Sequence, residues 1–469
     1  MNLKSLATLC CLLLLCACGR QLPFPTPSQQ DLIVLTTQGP LTYTQDESGV
    51  ASGLEHDLAE AFAHELGVGI QFITVTPDEI ENSLASGKGH LAIGWLPKPL
   101  DEAQKSTAPI MQSRDIIIQH EASLPLDELK ELKGRTVHAL AGSRQLATLK
   151  KLQTNIPDLK VVEVAGSDIY TLLEGLDNQK IELAAIDSSL TDIATQFIPS
   201  LQPSLELSPD QAMVWWLGKN PNAELLARTS SFVEAAQHDG TLARLEDRYF
   251  GHVRRLKQAD IVKFLERIGS VLPKFRSHFL TAQNISGIDW RLIAAVAYHE
   301  SQWDPNATSP TGVRGIMMLT EETADRLDVS NRLDARESIL AGARYINMLR
   351  NQQADNVTEP DRTWLALAAY NIGPGNFNAA CTLARLLNAN PSVWYEMKRV
   401  LPLLAQPKYY QRIKSGRARG GEAVILVENI RSYYDILVRH EPAAPKQVEK
   451  KTENRGLKTG SSPGLKLKR

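Results

Sequence analysis

The chain changes character where the period of its apolar positions changes. Between residues 31 and 218 short apolar or β-branched runs recur: "DLIVLTT" (31–37), "IQFITVT" (70–76), "LAIGW" (91–95), "DIIIQ" (115–119), "TVHAL" (136–140), "KVVEVA" (160–165), "LAAIDSS" (183–189) and "MVWWLG" (213–218). Between several of them lie helical patterns such as "LEHDLAEAFAHEL" (54–66). This alternation predicts an α/β domain with largely parallel sheets. After "RRLKQADIVKFLERIGSVLPKF" (254–275) the β-branched runs thin out and helical spacing takes over, so an α-rich domain is expected over 265–440.

One helix of that second region carries an ionisable pair at its end, in "AAVAYHESQWDP" (294–305). Asp289 is placed to cap a helix beginning at Trp290. Trp290, Ile293, Ala294 and Ala297 form one apolar stripe, and Glu300 and Ser301 fall on its next positions. Asp304-Pro305 is expected to end the helix. Desolvation and the negative end of the helix dipole both raise the pKa of a carboxyl so placed, which suits a general acid. The position equally suits a buried glutamate paired with Arg or Lys. His299 points about a third of a turn away and is expected on the surface or in a supporting role.

Length and composition set the frame. A chain of 469 residues exceeds one hydrophobic core, so two domains are expected. With 43% hydrophobic and 22% charged residues, extensive disorder and a polytopic membrane protein are excluded. The net charge of −2 gives no argument for nucleic acid binding, and none is expected. Basic residues gather at the end, from Lys446, Lys450 and Lys451 to Lys466, Lys468 and Arg469, among Gly, Ser and Pro. Residues 441–469 therefore read as a disordered basic tail, solvating before it is adhesive.

Lys4 followed by "LATLCCLLLLCA" (6–17) reads as a targeting segment, too short for the roughly 20 residues a bilayer span needs. "LCAC" (15–18) resembles the lipobox of bacterial lipoproteins. That resemblance implies a signal peptide over 1–17 and an acylated Cys18. Gly19, in place of an inner-membrane-retaining Asp, implies the periplasmic face of the outer membrane. A simple cleaved secretory peptide is the alternative. "RQLPFPTPSQQ" (20–30) extends the expected tether, 18–30. Four of five cysteines (Cys10, Cys11, Cys16 and Cys18) lie in the first 18 residues, leaving Cys381 in the mature fold as a packed thiol. No disulfide framework is possible, and neither metal nor cofactor is expected.

Three ordered stretches in the first region, "SGLEHDLAEAFAHELG" (52–67), "LKGRTVHALAGS" (132–143) and "HDGTLARLEDRYFG" (238–251), resemble the amino-acid-binding type of extracellular solute-binding protein. Gly53 and Asp57 fit its G-x-x-x-D pattern. The resemblance implies a two-lobed, periplasmic-binding-protein-like domain over 31–251, followed by a linker over 252–264. Such binders usually place an arginine shortly after the strand corresponding to "LAIGW" to clamp the ligand carboxylate. Here "LPKPLDEAQK" (96–105) offers only Lys98 and Lys105. Asp187 sits where those binders hold the ligand amine, and equally suits a strand-end cap. A retained cleft with an altered or lost ligand is expected, with a cell-wall peptide or amino acid as the ligand class.

In the second region "HESQWDPNATSPTGVRGIMML" (299–319), "ALAAYNIGPG" (366–375) and "ILVENIRSYY" (425–434) resemble, in order, the motifs of lytic murein transglycosylases of the goose-lysozyme-like superfamily. This implies an α-rich, lysozyme-like domain that acts on peptidoglycan glycan strands. It further implies a glycoside hydrolase family 23-like exolytic lyase cutting the MurNAc–GlcNAc β-1,4 bond. By the same resemblance Glu300 is catalytic, and Ser301, Ser309, Met317, Met318, Tyr370, Asn371 and Glu428 belong to the substrate site, with Asn371 fixing its loop. Met318 stands where glutamine is usual. Fused to a solute-binding domain on a lipoprotein, this resembles the layout of one membrane-bound subgroup, in which a methionine-rich turn is usual.

Most glycoside hydrolases need a second carboxylate. Asp304 reads as a turn residue, and Glu321 and Glu322 as a helix's first turn, so none is a convincing partner. The resemblance implies instead that the substrate's N-acetyl group assists, that Glu300 acts as acid and then base, and that a 1,6-anhydromuramyl end forms. The first domain is expected to regulate or target the second. The rival readings are a murein- or peptide-binding lipoprotein without catalysis, and a lysozyme-like hydrolase.

Overall fold

The computed structural model describes residues 22–26, 30–46, 49–165, 168–253, 255–411 and 416–444. The expected signal peptide, Cys18 and the basic run from Lys446 lie outside the described residues.

Every apolar run singled out in the first region forms a strand, but the sheets are mixed. One sheet has six strands, in the order Ile70–Thr74, Leu32–Thr36, Leu91–Pro97, Gln211–Gly218 and Lys105–Ser106, with Met111–Ser113 also pairing to Gln211–Gly218. Its first two pairings are parallel, whereas Gln211–Gly218 runs antiparallel to its neighbours. The second has five strands, in the order Lys160–Val164, Thr136–Leu140, Leu183–Asp187, Asp115–His120 and Leu201–Glu206, the last two pairings antiparallel. The expectation of largely parallel sheets is corrected here. The chain crosses between the sheets twice, at 113–115 and again at 206–211, and these returns reverse strand direction. Two lobes result, each sheet covered by its own apolar clusters.

Gly53 and Asp57 knit the first lobe to its closing helix. Gly53 has φ 148°, and a Cβ there would lie 2.3 Å from the Thr42 carbonyl oxygen, so only glycine fits. Tyr249, on helix Thr241–Phe250, donates to Asp57 Oδ2 at 2.6 Å and accepts from the Gly53 N–H at 3.0 Å.

The second body is helical, and one apolar cluster runs through it from Ile261 to Leu437. Two expected boundaries shift. Helix Gln258–Ser270 begins inside the expected linker, and its Ile261 and Phe264 are core residues, because an amphipathic helix of this kind must bury its stripe. At the other end Glu441 is buried and pairs with Arg276, and the Pro442 carbonyl accepts from Trp290 Nε1 at 3.3 Å, so the body continues past 440. In the expected tether Pro25 is buried and Phe24 packs on the first lobe.

Helix Gly420–His440 joins the two bodies. Arg431 donates to the carbonyls of Asp247 and Arg248 at 2.9 and 2.8 Å, serving the last turn of helix Thr241–Phe250, whose orphan carbonyls favour a cation. Ser432 donates to the His252 carbonyl at 2.8 Å, and Gln196 of the second lobe donates to the Ser432 carbonyl at 3.3 Å.

Candidate active site

Helix Trp290–Ser301 starts where expected: Asp289 caps it by accepting the Arg291 N–H at 2.8 Å. Its environment differs from the single stripe expected. Every residue from Trp290 to Tyr298 is buried, Arg291 included, so the helix runs through the core with neighbours on all sides. His299, Glu300 and Ser301 emerge, half-buried, on the last turn. Phe264, Tyr298, Trp303 and Tyr433 pack ring to ring beside that turn, with centroids 4.3 to 5.5 Å apart.

The helix stops before Asp304-Pro305. Gln302 and Trp303 both take left-handed conformations, with φ 54° and 60°. Each costs roughly 1–3 kcal/mol in a residue with a Cβ and persists only where the surroundings hold it. Here they do: Trp303 is buried and donates Nε1 to the Ala294 carbonyl at 2.8 Å, and Arg267 donates twice to the Gln302 carbonyl, at 3.1 and 2.6 Å. The reversal ends the helix at Ser301, one residue past Glu300.

Among the described residues Glu300 has no hydrogen bond or ion pair, and burial alone pushes its pKa up to about 8. The paired, structural glutamate that the position also allowed is absent. His299, expected on the surface or in a supporting role, is half-buried, and burial lowers its pKa to about 4, so it is neutral under physiological conditions.

The remaining expected residues separate by what they touch. Ser301 Oγ bonds the Ala297 and Ile316 carbonyls at 3.1 and 2.8 Å, tying the helix end to the turn. Met317 is fully buried and fits into the notch at Gly342, where a Cβ would lie 2.6 Å from its Cε, so its side chain belongs to the core instead of a sugar site. Met318 is half-buried with φ 48°. Gly315, with φ 81°, passes so close to Arg332 that a Cβ would lie 1.8 Å from its carbonyl oxygen. Ser309 Oγ accepts the Thr311 and Val313 N–H groups, both at 3.2 Å, and so shapes its own loop.

Tyr370, on helix Asp361–Ile372, donates to the Met317 carbonyl at 2.6 Å and packs on Tyr345. Burial, with Glu300 and Tyr345 nearby, holds its hydroxyl well above the usual phenol range, so it stays a donor. Tyr370→Phe leaves a buried carbonyl short of this partner. A stability loss of about 1–3 kcal/mol is expected, measured as a lower urea midpoint. Asn371 is exposed beside Gly373, which opens helix Pro374–Leu386, and no loop-fixing bond to its side chain occurs among the described residues. Cys381 packs on the core as expected, its thiol pushed up to about 11 by burial.

Glu428 requires a correction. It is fully buried, accepts from Trp394 Nε1 at 2.7 Å and Arg431 Nη1 at 2.9 Å, and has Lys398 Nζ at 3.6 Å. Burial raises its pKa, but Arg431, Lys398 and Trp394 outweigh this and hold it below the usual range. From there it cannot reach a glycan, because an acid set in an apolar helix repeat is carried to the core by its neighbours. The second-carboxylate candidates sit as expected: Asp304 Oδ1 caps the Asn306 N–H at 2.9 Å, and Glu321 and Glu322 lie in the first turn of Glu321–Arg326. Trp303, Arg267 and Tyr345 were not anticipated. Trp303 had a signal, as the aromatic of the "HESQWDP" motif; Arg267 had none.

Residues 277–390 match the transglycosylase SLT domain family, and residues 32–252 match the bacterial extracellular solute-binding proteins, family 3. The first match contains Glu300 and Tyr370 and ends before Glu428. A membrane-bound lytic murein transglycosylase F from Nitrosospira multiformis is 41% identical, the alignment covering 89% of this chain and 88% of the relative. Proteins of the same name from Methylobacillus flagellatus and Thiobacillus denitrificans are 38% and 39% identical, covering 92% and 93% of this chain and 93% of each relative. Two domains in the same order, aligned across nearly the whole of each relative, place the chain in the family of membrane-bound lytic murein transglycosylase F.

Proposed function

We propose that Glu300 is the acid and then the base of a non-hydrolytic cleavage of the MurNAc–GlcNAc β-1,4 bond, in a family 23-like lyase. The carrying observation is the isolation of its carboxyl: burial alone raises its pKa to about 8, with no carboxylate or cation contributing. A protonated Glu300 donates to the leaving glycosidic oxygen. The substrate's N-acetyl oxygen supports the developing cation at C1. The Glu300 carboxylate then takes the proton of the C6 hydroxyl, which closes on C1 to give the 1,6-anhydro end. One bond breaks, one forms, and the proton returns to Glu300. A retaining hydrolase would place a second carboxylate roughly 5 Å away, where it would bear on this titration. The exposed Asn371 and the half-buried Met318 are the side chains best placed to meet the glycan, while Ser301, Ser309 and Tyr370 hold the turn.

The pH profile tests the acid role. Activity requires the protonated form, so the cleavage rate on murein is expected to be flat near neutrality. Above about pH 8 it should fall roughly tenfold per unit. Activity that instead rises through this range would mean that Glu300 is needed ionised.

The localisation that best fits the leader is a Cys18-linked lipid anchor in the outer membrane, facing the periplasm. The relatives are named membrane-bound, and among the described residues no helix is long and apolar enough to cross a membrane. Mass spectrometry of the mature N-terminus tests this; an unmodified residue there contradicts it. The two-lobed domain serves to regulate or target cleavage, through the shared helix Gly420–His440.

A further inference from the structure

The cleft between the lobes is occupied by the chain itself. Asp187, at the end of its strand in the second sheet, accepts the Ser189 N–H at 2.8 Å, as a cap would, and Ser113 Oγ at 2.5 Å. Its other oxygen faces two donors from different directions. Trp95, on the first sheet, crosses the cleft and donates Nε1 at 3.0 Å. Arg144, the first residue of helix Arg144–Gln153, donates Nη2 to the same oxygen. That guanidinium also pairs with the fully buried Asp115 at 3.0 Å and reaches Met213 Sδ of the first sheet at 3.5 Å.

The charges show which ligand class the cleft suits. Two buried carboxyl groups, Asp115 and Asp187, surround one guanidinium, so without Arg144 the pocket keeps paired carboxyls and no cation. Such a site recognises a cation and repels a carboxylate. The two lysines that follow "LAIGW" in place of an arginine clamp stay outside the cleft: Lys98 and Lys105 are exposed, and Lys105 bonds the Glu102 carbonyl. Trp95 is also held for this contact. It has φ 55°, and its N–H and that of Gly94 both donate to Glu55 Oε2, at 2.8 and 2.9 Å. A strained, buried tryptophan fixed from below and bonded across the cleft is a device for closing it.

We propose that the cleft keeps a recognition site for a guanidinium or alkylammonium group and that Arg144 is its resident occupant. The lobes then close on an internal cation instead of a diffusible amino acid. Arg144 sets the specificity of the domain by filling the site. This does not depend on the cleavage chemistry of Glu300, and its test uses no murein.

The test is chemical rescue in the full chain. Wild type is expected to give no saturable heat with L-arginine, L-lysine or methylguanidinium at millimolar concentration, and no shift in thermal midpoint. Arg144→Ala should melt lower and bind methylguanidinium, its midpoint rising with the logarithm of the concentration, but should not respond to the neutral isostere methylurea. Adding Asp187→Asn should abolish the rescue. If Arg144→Ala does not fold alone, refolding it from urea with methylguanidinium or with methylurea asks the same question, and selective recovery with the cation supports the proposal. Saturable binding of either amino acid to wild type overturns it. So does an Arg144→Ala variant that treats methylguanidinium and methylurea alike.

Discussion

Glu300→Gln is expected to lose cleavage of murein by about 10³-fold or more, since one side chain supplies both proton transfers. The same substitution should stabilise the protein. Burial raises the Glu300 pKa from 4.5 to about 8, so the fold favours the protonated form. Its stabilising share is complete below the unfolded pKa and is lost as the pH rises through the folded one. Above pH 8 the wild type holds a half-buried, unpaired carboxylate, and the glutamine does not. With each pKa unit worth about 1.4 kcal/mol, and solvent at the half-buried carboxyl reducing the full shift, a gain of roughly 1–3 kcal/mol is expected there. Near pH 4 the two proteins should match. Urea unfolding at both pH values checks this; equal stability at high pH would mean that Glu300 has a counter-charge. A site that stores instability where it does chemistry is the expected trade-off.

Glu428→Ala is expected to cost about 3–5 kcal/mol, the usual penalty for stranding a buried counter-charge. It removes the acceptor of Trp394 Nε1 and leaves Arg431 and Lys398 facing Asp247. Arg431 also serves the last carbonyls of helix Thr241–Phe250, so the loss should loosen the joint between the two bodies. Protein that remains folded at low temperature should bind glycan as wild type does. Wild-type stability with weakened glycan binding would restore Glu428 to the substrate site.

Much of this architecture was legible in the sequence because it rests on local signals. Period-two and short apolar runs marked the strands that carry the sheets, and the cap at Asp289 and the position of Glu300 were readable from spacing. What stayed hidden depends on distant partners. Leu201–Glu206 contains Pro203 and lies at the edge of its sheet, where the missing N–H is tolerated, so its sequence gives little sign of a strand. Strand direction followed from the two crossings, which no run of residues announces. The left-handed Gln302 and Trp303 are held by Arg267 and Ala294, and neither contact has a sequence signature. Glu428 looked like a motif acid because burial cannot be read from residue type. Arg144 went unnoticed because its partners lie 29 and 43 positions away.

The central claim is that an isolated, protonated Glu300 cuts glycan without water. Digesting murein sacculi with the full chain and reading the released fragments by mass spectrometry tests it most directly. The predicted products are 1,6-anhydromuropeptides, one water lighter than their hydrolytic counterparts, and Glu300→Gln should release almost none. Reducing-end muropeptides from wild type, or undiminished product from Glu300→Gln, would contradict it.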